Sequence, residues 1–233
     1  MTRKQNFQSE EVKLGLVSQS ASEGGKSVFR QTNSRQKQVM QVKRSIPDHS
    51  SITRGYIKLS DAAKAFHYDF RNKTVLDIGS STGGFTKYAL DHGAKKVIAV
   101  EKGTNQMLPS LRYDKRIDLF EKTDIFTFKP DYLLDTIVAD VSFLSLKKIL
   151  HYAKTYLAGP KTDFLVMLKP QFEAKPSQLT SGVVKNNKIR RDIIKNFEFW
   201  LKENGFSVID KRDNQLKGKN GNIERFYWLR KIQ

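Results

Sequence analysis

The residues with the clearest chemistry lie in VLDIGSSTGGFT (75–86), where an acid, Asp77, precedes a loop of small residues carrying Gly79, Gly83 and Gly84. Glycine has no Cβ, so backbone can come close to a bound molecule. In open parallel sheets ligands bind beyond the carboxyl ends of the strands. A second acid, Glu101, follows Asp77 by 24 positions, where a carboxylate is placed to accept from both hydroxyls of a ribose. The spacing excludes two common nucleotide loops. A dinucleotide site needs Gly-x-Gly-x-x-Gly and a P-loop needs Gly-Lys-Ser/Thr, whereas this loop reads Gly-Ser-Ser-Thr-Gly-Gly. An acid here would repel a pyrophosphate but suits a cationic ligand such as the amino-acid end of S-adenosylmethionine. The pattern predicts a site for that cofactor built from Asp77, Gly79, Ser80, Ser81, Thr82, Gly83, Gly84, Phe85 and Glu101. Asp124, after the next strand, either lies near the adenine amine or is an ordinary strand-end or helix-capping acid.

Elements that would position these residues can be read along the chain. Short apolar runs predict strands over Thr74–Gly79, Lys95–Glu101, Ile117–Asp124, Asp135–Phe143 and Thr162–Pro170. Between them, FTKYALDHGA (85–94) and Leu144–Leu157 read as helices. A third helix is predicted over Lys188–Gly205, with Ile189, Ile193, Phe197, Trp200 and Leu201 on one face. The chain closes with two strand-like segments around a Gly- and Lys-rich turn. Alternating strands and helices predict an α/β fold, a mostly parallel sheet covered on both faces, with one antiparallel edge from the final hairpin.

Residues 1–52 differ in kind. They are rich in Ser, Gln, Lys and Arg, with ten Lys/Arg against four acids up to Arg54, and read as a basic, extended or poorly ordered arm before a domain at 53–233. Lys and Arg total 42 against 24 Asp and Glu, a net charge of +18, which favours a polyanionic partner such as nucleic acid. The chain has no cysteine, so disulfides and thiolate metal sites are excluded. Its four histidines are scattered, and no metal site is expected. No signal-like or membrane-spanning apolar run occurs, so a soluble cytoplasmic protein without membrane insertion is expected.

LDIGSSTGGFT, VIAVEKGTNQM, VADVSFLSL, MLKPQFE, SGVV and GNIERFYWL occur in an order and spacing that resemble the TlyA/hemolysin A family, itself similar to FtsJ-type ribose 2′-O-methyltransferases. The resemblance spans roughly residues 53–233. It implies a Rossmann-like methyltransferase that uses S-adenosylmethionine and acts on ribosomal RNA or ribosomal subunits. It also implies a Lys-Asp-Lys-Glu catalytic set, matched by Lys58 in TRGYIKL, Asp140 in VADVSF, Lys169 in MLKPQFE and Glu224 in GNIERFYW. Spacing alone does not join these four. In that set Lys169 would be the general base toward a ribose hydroxyl. A lysine does this only when its pKa falls from about 10.4 toward neutrality, which burial and a second ammonium, here Lys58, both favour. Asp140, which would also border the cofactor, would orient Lys169, and Glu224 would tie the last strand to the cluster.

The chain departs from the family pattern at two places. Tyr56 and Ile57 stand where the family tends to have Gly and another residue, and the family's S4-type RNA-binding domain is not recognisable in residues 1–50. Around the expected active-site mouth, Arg54, Lys175, Lys185, Lys188, Arg190, Arg191, Lys217 and Lys219 are expected to contact RNA phosphates. Glu173–Arg191 is expected to be a mobile lid. The alternative reading is an RNA-binding protein that keeps the fold and cofactor site without turnover. The residues A-D-V-S after the fourth strand differ from the N/D-P-P-Y/F of amino methyltransferases, and no spanning helix or barrel pattern supports a lytic toxin.

Overall fold

The structure, a computed structural model, describes residues 52–131 and 133–232; the expected N-terminal arm, but for its last residue Ile52, lies outside them. Helix α1 (Arg54–Ala65) leads into β1 (Thr74–Ile78), α2 (Gly84–Asp91), β2 (Lys96–Val100), the short α3 (Pro109–Arg112) and β3 (Ile117–Phe120). Then follow β4 (Thr136–Ala139), α4 (Leu146–Tyr152), β5 (Asp163–Leu168), a single turn α5 (Pro170–Glu173), α6 (Asn187–Glu203), β6 (Phe206–Asp213) and β7 (Arg225–Lys231). The seven strands form one sheet in the order β3-β2-β1-β4-β5-β7-β6. β1 to β5 run parallel, while β7 is antiparallel to both β5 and β6. The α/β, mostly parallel sheet is therefore as expected, with the final hairpin as its antiparallel edge.

Strand side chains alternate between the two faces, and the core divides accordingly. Leu76, Ile78, Ile98, Ile137, Phe164 and Val166 face Leu146, Ile149, Phe197 and Leu201 of α4 and α6. Val75, Val97, Val138, Leu165 and Met167 face Leu59, Phe85 and Tyr88 of α1 and α2. Near-continuous apolar runs such as FLVML are what a strand buried on both faces requires.

Several boundaries differ from expectation. β3 ends at Phe120 because Glu121 turns to pair with Arg112 at 2.5 Å. α4 starts two residues late because Phe143 adopts φ +65°, after which Ser145 caps the helix by accepting from the Lys147 N–H. The last five residues of the expected helix, Ala153–Leu157, widen into a π-type turn. Within the expected lid, Pro176–Gln178 forms one 3-10 turn and Thr180 bridges Val183. Asn186 then caps α6, accepting from Lys188 and Ile189, so that Lys188, Arg190 and Arg191 are helical.

Helices α1 and α2 meet at glycines. A Cβ on Gly84 would lie 2.8 Å from the Tyr56 nitrogen and 3.0 Å from the Gly55 Cα, both backbone atoms that cannot rotate away. Gly84→Ala is therefore expected to cost about 1–3 kcal/mol and lower Tm by about 3–10 °C, with a larger loss for Gly84→Val. An unchanged melting curve for Gly84→Ala would show that the two helices separate freely.

Candidate active site

Three neighbouring cavities open at the carboxyl ends of the parallel strands. The largest, about 620 Å³, is bordered by Gly79, Ser81, Glu101, Asp124 and Asp140, among others. A second, about 190 Å³, lies over Asp77, Ser80, Thr82 and Phe85 and reaches Asp140 and Lys169. The third, about 430 Å³, holds Arg54, Lys58, Lys169, Gln171, Lys219 and Glu224. Asp140 borders the first two and Lys169 the last two, so the three are joined through this pair.

The glycine loop is built as its sequence requires. Gly79 and Gly83 take φ +79° and +85°, and a Cβ on Gly79 would come within 3.3 Å of the Asp140 carbonyl oxygen. Gly83 caps α2, and Gly84 and the buried Phe85 open it. Asp77 is buried at the end of β1, where its Oδ2 accepts from the Thr86 N–H at 3.0 Å and the Thr86 hydroxyl at 2.7 Å. Its Oδ1 and the buried Ser80 hydroxyl have no protein partner. Burial, with the nearby Asp140 carboxylate adding to it, pushes the Asp77 carboxyl up to about 7 against the bonds from Thr86.

Glu101 sits just past β2. Its carboxylate accepts from Ser81 N–H at 2.9 Å, Gly103 N–H at 2.7 Å and the Gln106 amide at 3.3 Å. Four acceptor sites minus these three donors leave one free, so two incoming hydroxyls would require the long Gln106 bond to open. Asp124 caps the 3-10 turn Ile125–Thr127 through the Phe126 N–H and pairs with Lys102 at 3.1 Å. Those contacts, the Phe126 bond first, hold its carboxyl below the usual range. It is thus a capping acid that also lines the largest cavity.

The four residues joined by motif resemblance form two ion pairs. Lys169 follows β5, and its Nζ lies 2.6 Å from the Oδ1 of Asp140, which follows β4; the same Nζ donates to the Ser142 hydroxyl at 2.8 Å. Lys58, on the buried face of α1, donates to the Glu224 carboxylate just before β7. Ser142 and Phe143 stand in the motif VADVSFLSL but are not among the site residues expected from the sequence; Phe143 is 88% exposed and borders the first and third cavities.

Two contacts brace this arrangement. Glu173 accepts from the Ser145 hydroxyl at 2.8 Å and the Leu146 N–H at 2.6 Å, tying the turn after Lys169 to the loop carrying Ser142 and Phe143. Asn222 accepts from the Val184 N–H at 3.0 Å and donates to the Gly182 carbonyl, which accounts for SGVV standing among the motifs.

The expected phosphate contacts divide. Arg54 and Lys219 border the third cavity, and Arg54 donates to the Lys217 carbonyl at 2.6 Å. Lys175, Lys185, Lys188, Arg191 and Lys217 are exposed. Arg190 instead turns inward, donating to Asp213 at 2.7 Å and to the Ile223 carbonyl at 3.2 Å. Its charge braces the hairpin.

Comparison with known proteins identifies the frame. Residues 51–231 match the model for FtsJ-like methyltransferases. The chain belongs to the FtsJ-like methyltransferase family. With it the chain joins the S-adenosylmethionine-dependent methyltransferases, and the resemblance to TlyA and hemolysin A drawn from the motifs is borne out. YqxC of Bacillus subtilis is 37% identical over 178 residues, covering 74% of this chain and 63% of its own length. The 16S/23S rRNA (cytidine-2′-O)-methyltransferase TlyA of Mycobacterium tuberculosis is 36% identical over 183 residues, 77% of this chain and 68% of that one. A crystal structure of a Lactococcus lactis protein that carries the name hemolysin is 34% identical with a TM-score of 0.73, over 77% of this chain and 88% of that one. The chain thus spans just under two thirds of YqxC and slightly more of TlyA. Among the described residues no helix is long and apolar enough to cross a membrane.

The residues of this FtsJ-like chain fit the family's cofactor. Asp77 and Ser80, whose Oδ1 and hydroxyl have no protein partner, line a small polar cavity suited to an amino-acid end, and the larger cavity beside Glu101 and Asp124 has room for a nucleoside. An ammonium group beside Asp77 favours its carboxylate, whereas below pH 7 the free protein holds this group protonated. Affinity for S-adenosylmethionine should therefore fall more than about tenfold between pH 7.5 and 5.5, and Asp77→Asn should flatten that profile while weakening binding. Calorimetric titration across this range checks it; a wild-type profile as flat as the variant's would contradict it.

Proposed function

We propose that this chain methylates a ribose 2′-hydroxyl of ribosomal RNA with S-adenosylmethionine. The observation that carries this reading is the Lys169–Asp140 pair at the junction between the cofactor cavities and the cavity holding Lys58 and Glu224. The cofactor would be held by Asp77 and Ser80 at one end and by Glu101 and Asp124 at the other, and when bound it supplies an electrophilic methyl group.

Lys169, once its ammonium has given up a proton to solvent, takes the ribose hydroxyl proton on its Nζ as that oxygen attacks. The amine becomes an ammonium, and the Asp140 carboxylate beside it balances the new charge. Ser142 fixes the Nζ direction by accepting one of its hydrogens. Lys58 presents a second cation to the ribose side of the cavity, aligned by the buried Glu224 carboxylate. The exposed Phe143 ring at the shared rim offers a flat apolar surface to an unstacked base. The FtsJ-like membership and the net charge of +18 support an RNA substrate over a small molecule.

Lys169→Ala should lower methyl transfer to ribosomal subunits by about 10²–10⁴ while leaving S-adenosylmethionine affinity within a few-fold. Lys169→Arg keeps the positive charge beside Asp140 but cannot take a proton, so it should not restore transfer. Equal loss of cofactor binding, or rescue by arginine, would remove Lys169 from the role of base. Phe143→Ala should weaken RNA binding by about 10- to 100-fold, as lost base stacking does, with cofactor binding unchanged. Unchanged RNA affinity in that variant would exclude stacking at the rim.

A further inference from the structure

Helix α6 carries a row of cations that the active-site reading does not use. Lys188, Arg191, Lys195, Phe199 and Lys202 recur at steps of three, four, four and three, which places them on one face of this 17-residue helix. All five are exposed, Phe199 to 67%, while Ile193, Ile194, Phe197 and Leu201 bury the opposite face. Among the described residues, none of these four cations forms an ion pair with an acid. Asp192 and Glu203 flank the row on one side, and Glu198, on the other, is taken up by Lys211 and Arg225.

The row begins at the substrate cavity. Arg190 fastens the first turn of α6 to the Ile223 carbonyl, next to Glu224, and the Val184 N–H just before the helix binds Asn222 of the cavity wall. From Lys188 to Lys202 the helix then rises about 21 Å away from that anchor. A rigid line of unpaired cations with an exposed aromatic among them matches a phosphate backbone more closely than an acidic protein patch, since Phe199 can also cover a sugar or base face.

The geometry points to this face of α6 as a second docking surface for ribosomal RNA, tracking the phosphate backbone of the segment flanking the methylated nucleotide. This rests on the proposed function above and extends it from the catalytic mouth to an elongated RNA footprint. Lys195 and Lys202 are its diagnostic members, because they lie two and four turns beyond the mouth.

The test compares wild type with Lys195→Gln/Lys202→Gln and with a charge-matched control, Lys95→Gln/Lys161→Gln, whose exposed lysines sit at the amino ends of β2 and β5, opposite the mouth. Binding to naked ribosomal RNA and to ribosomal subunits is measured over a salt series, with calorimetry of S-adenosylmethionine as a check on folding. The α6 variant should bind naked RNA about tenfold more weakly, with a salt slope shallower by about 1–2, and the control should match wild type. Equal losses in both variants, or none in the α6 variant, would overturn the proposal. Weakened binding to subunits with normal binding to naked RNA would also overturn it, by making a ribosomal protein the partner. Wild type that binds and transfers methyl groups while the α6 variant is unaffected sinks this inference alone. Wild type that binds no ribosomal RNA sinks it together with the proposed function.

Discussion

Register across β4, β5 and β7 is the constraint on which the rest of the site depends. Ala139 of β4 pairs with Val166 of β5, so β5 continues past the end of β4 and brings Lys169 over Asp140. On the other side, Leu168 pairs antiparallel with Arg225, which sets the next residues outward, Lys169 and Glu224, against the same cavity. A slip of one residue in either pairing would turn these side chains to the other face of the sheet. The antiparallel β7, inserted between β5 and β6, is therefore part of the site. A parallel strand there would bring a different end to Lys169.

The fourth member, Lys58, comes from a helix and is held by packing. Gly84 and Gly55 let α1 press directly onto α2, and α1 buries Leu59, Ala62 and Ala63 on the β1 side of the sheet. Lys58 and Glu224 are then both buried, and each depends on the other for its charge. Removing one alone leaves an uncompensated buried ion at a cost of about 3–5 kcal/mol, so this pair locks the helix to the hairpin as well as shaping the cavity. Arg190 and Arg225, both bonded to Asp213, brace the same hairpin from outside.

What the sequence disclosed and what it hid follow from distance along the chain. Asp77, Gly79, Gly83 and Glu101 were legible because a strand, a tight loop and the next strand's end form a local unit whose chemistry shows in its spacing. Lys58, Asp140, Lys169 and Glu224 span most of the described chain and meet only through sheet register, so spacing was silent and motif resemblance was needed to join them. Ser142 and Phe143 read as the end of the expected strand Asp135–Phe143, whereas the strand stops at Ala139 and leaves both in the loop before α4. The contacts that position the expected lid Glu173–Arg191 were not legible because they come from distant partners, Asn222 for Val184 and Ile223 and Asp213 for Arg190. The predicted helix over Lys188–Gly205 already implied the basic face of α6, but of that face only Lys188 and Arg191 count among the expected RNA contacts, which were placed around the mouth and not along the length of the helix.

The most direct measurement is nucleoside mass spectrometry of ribosomal RNA incubated with the protein and S-adenosylmethionine carrying a deuterated methyl group. A joined cofactor and Lys169–Asp140 site predicts one nucleoside labelled on its ribose, with the mass retained on the sugar fragment. Label on a base, or no label in RNA from either subunit, would contradict a ribose hydroxyl as the acceptor.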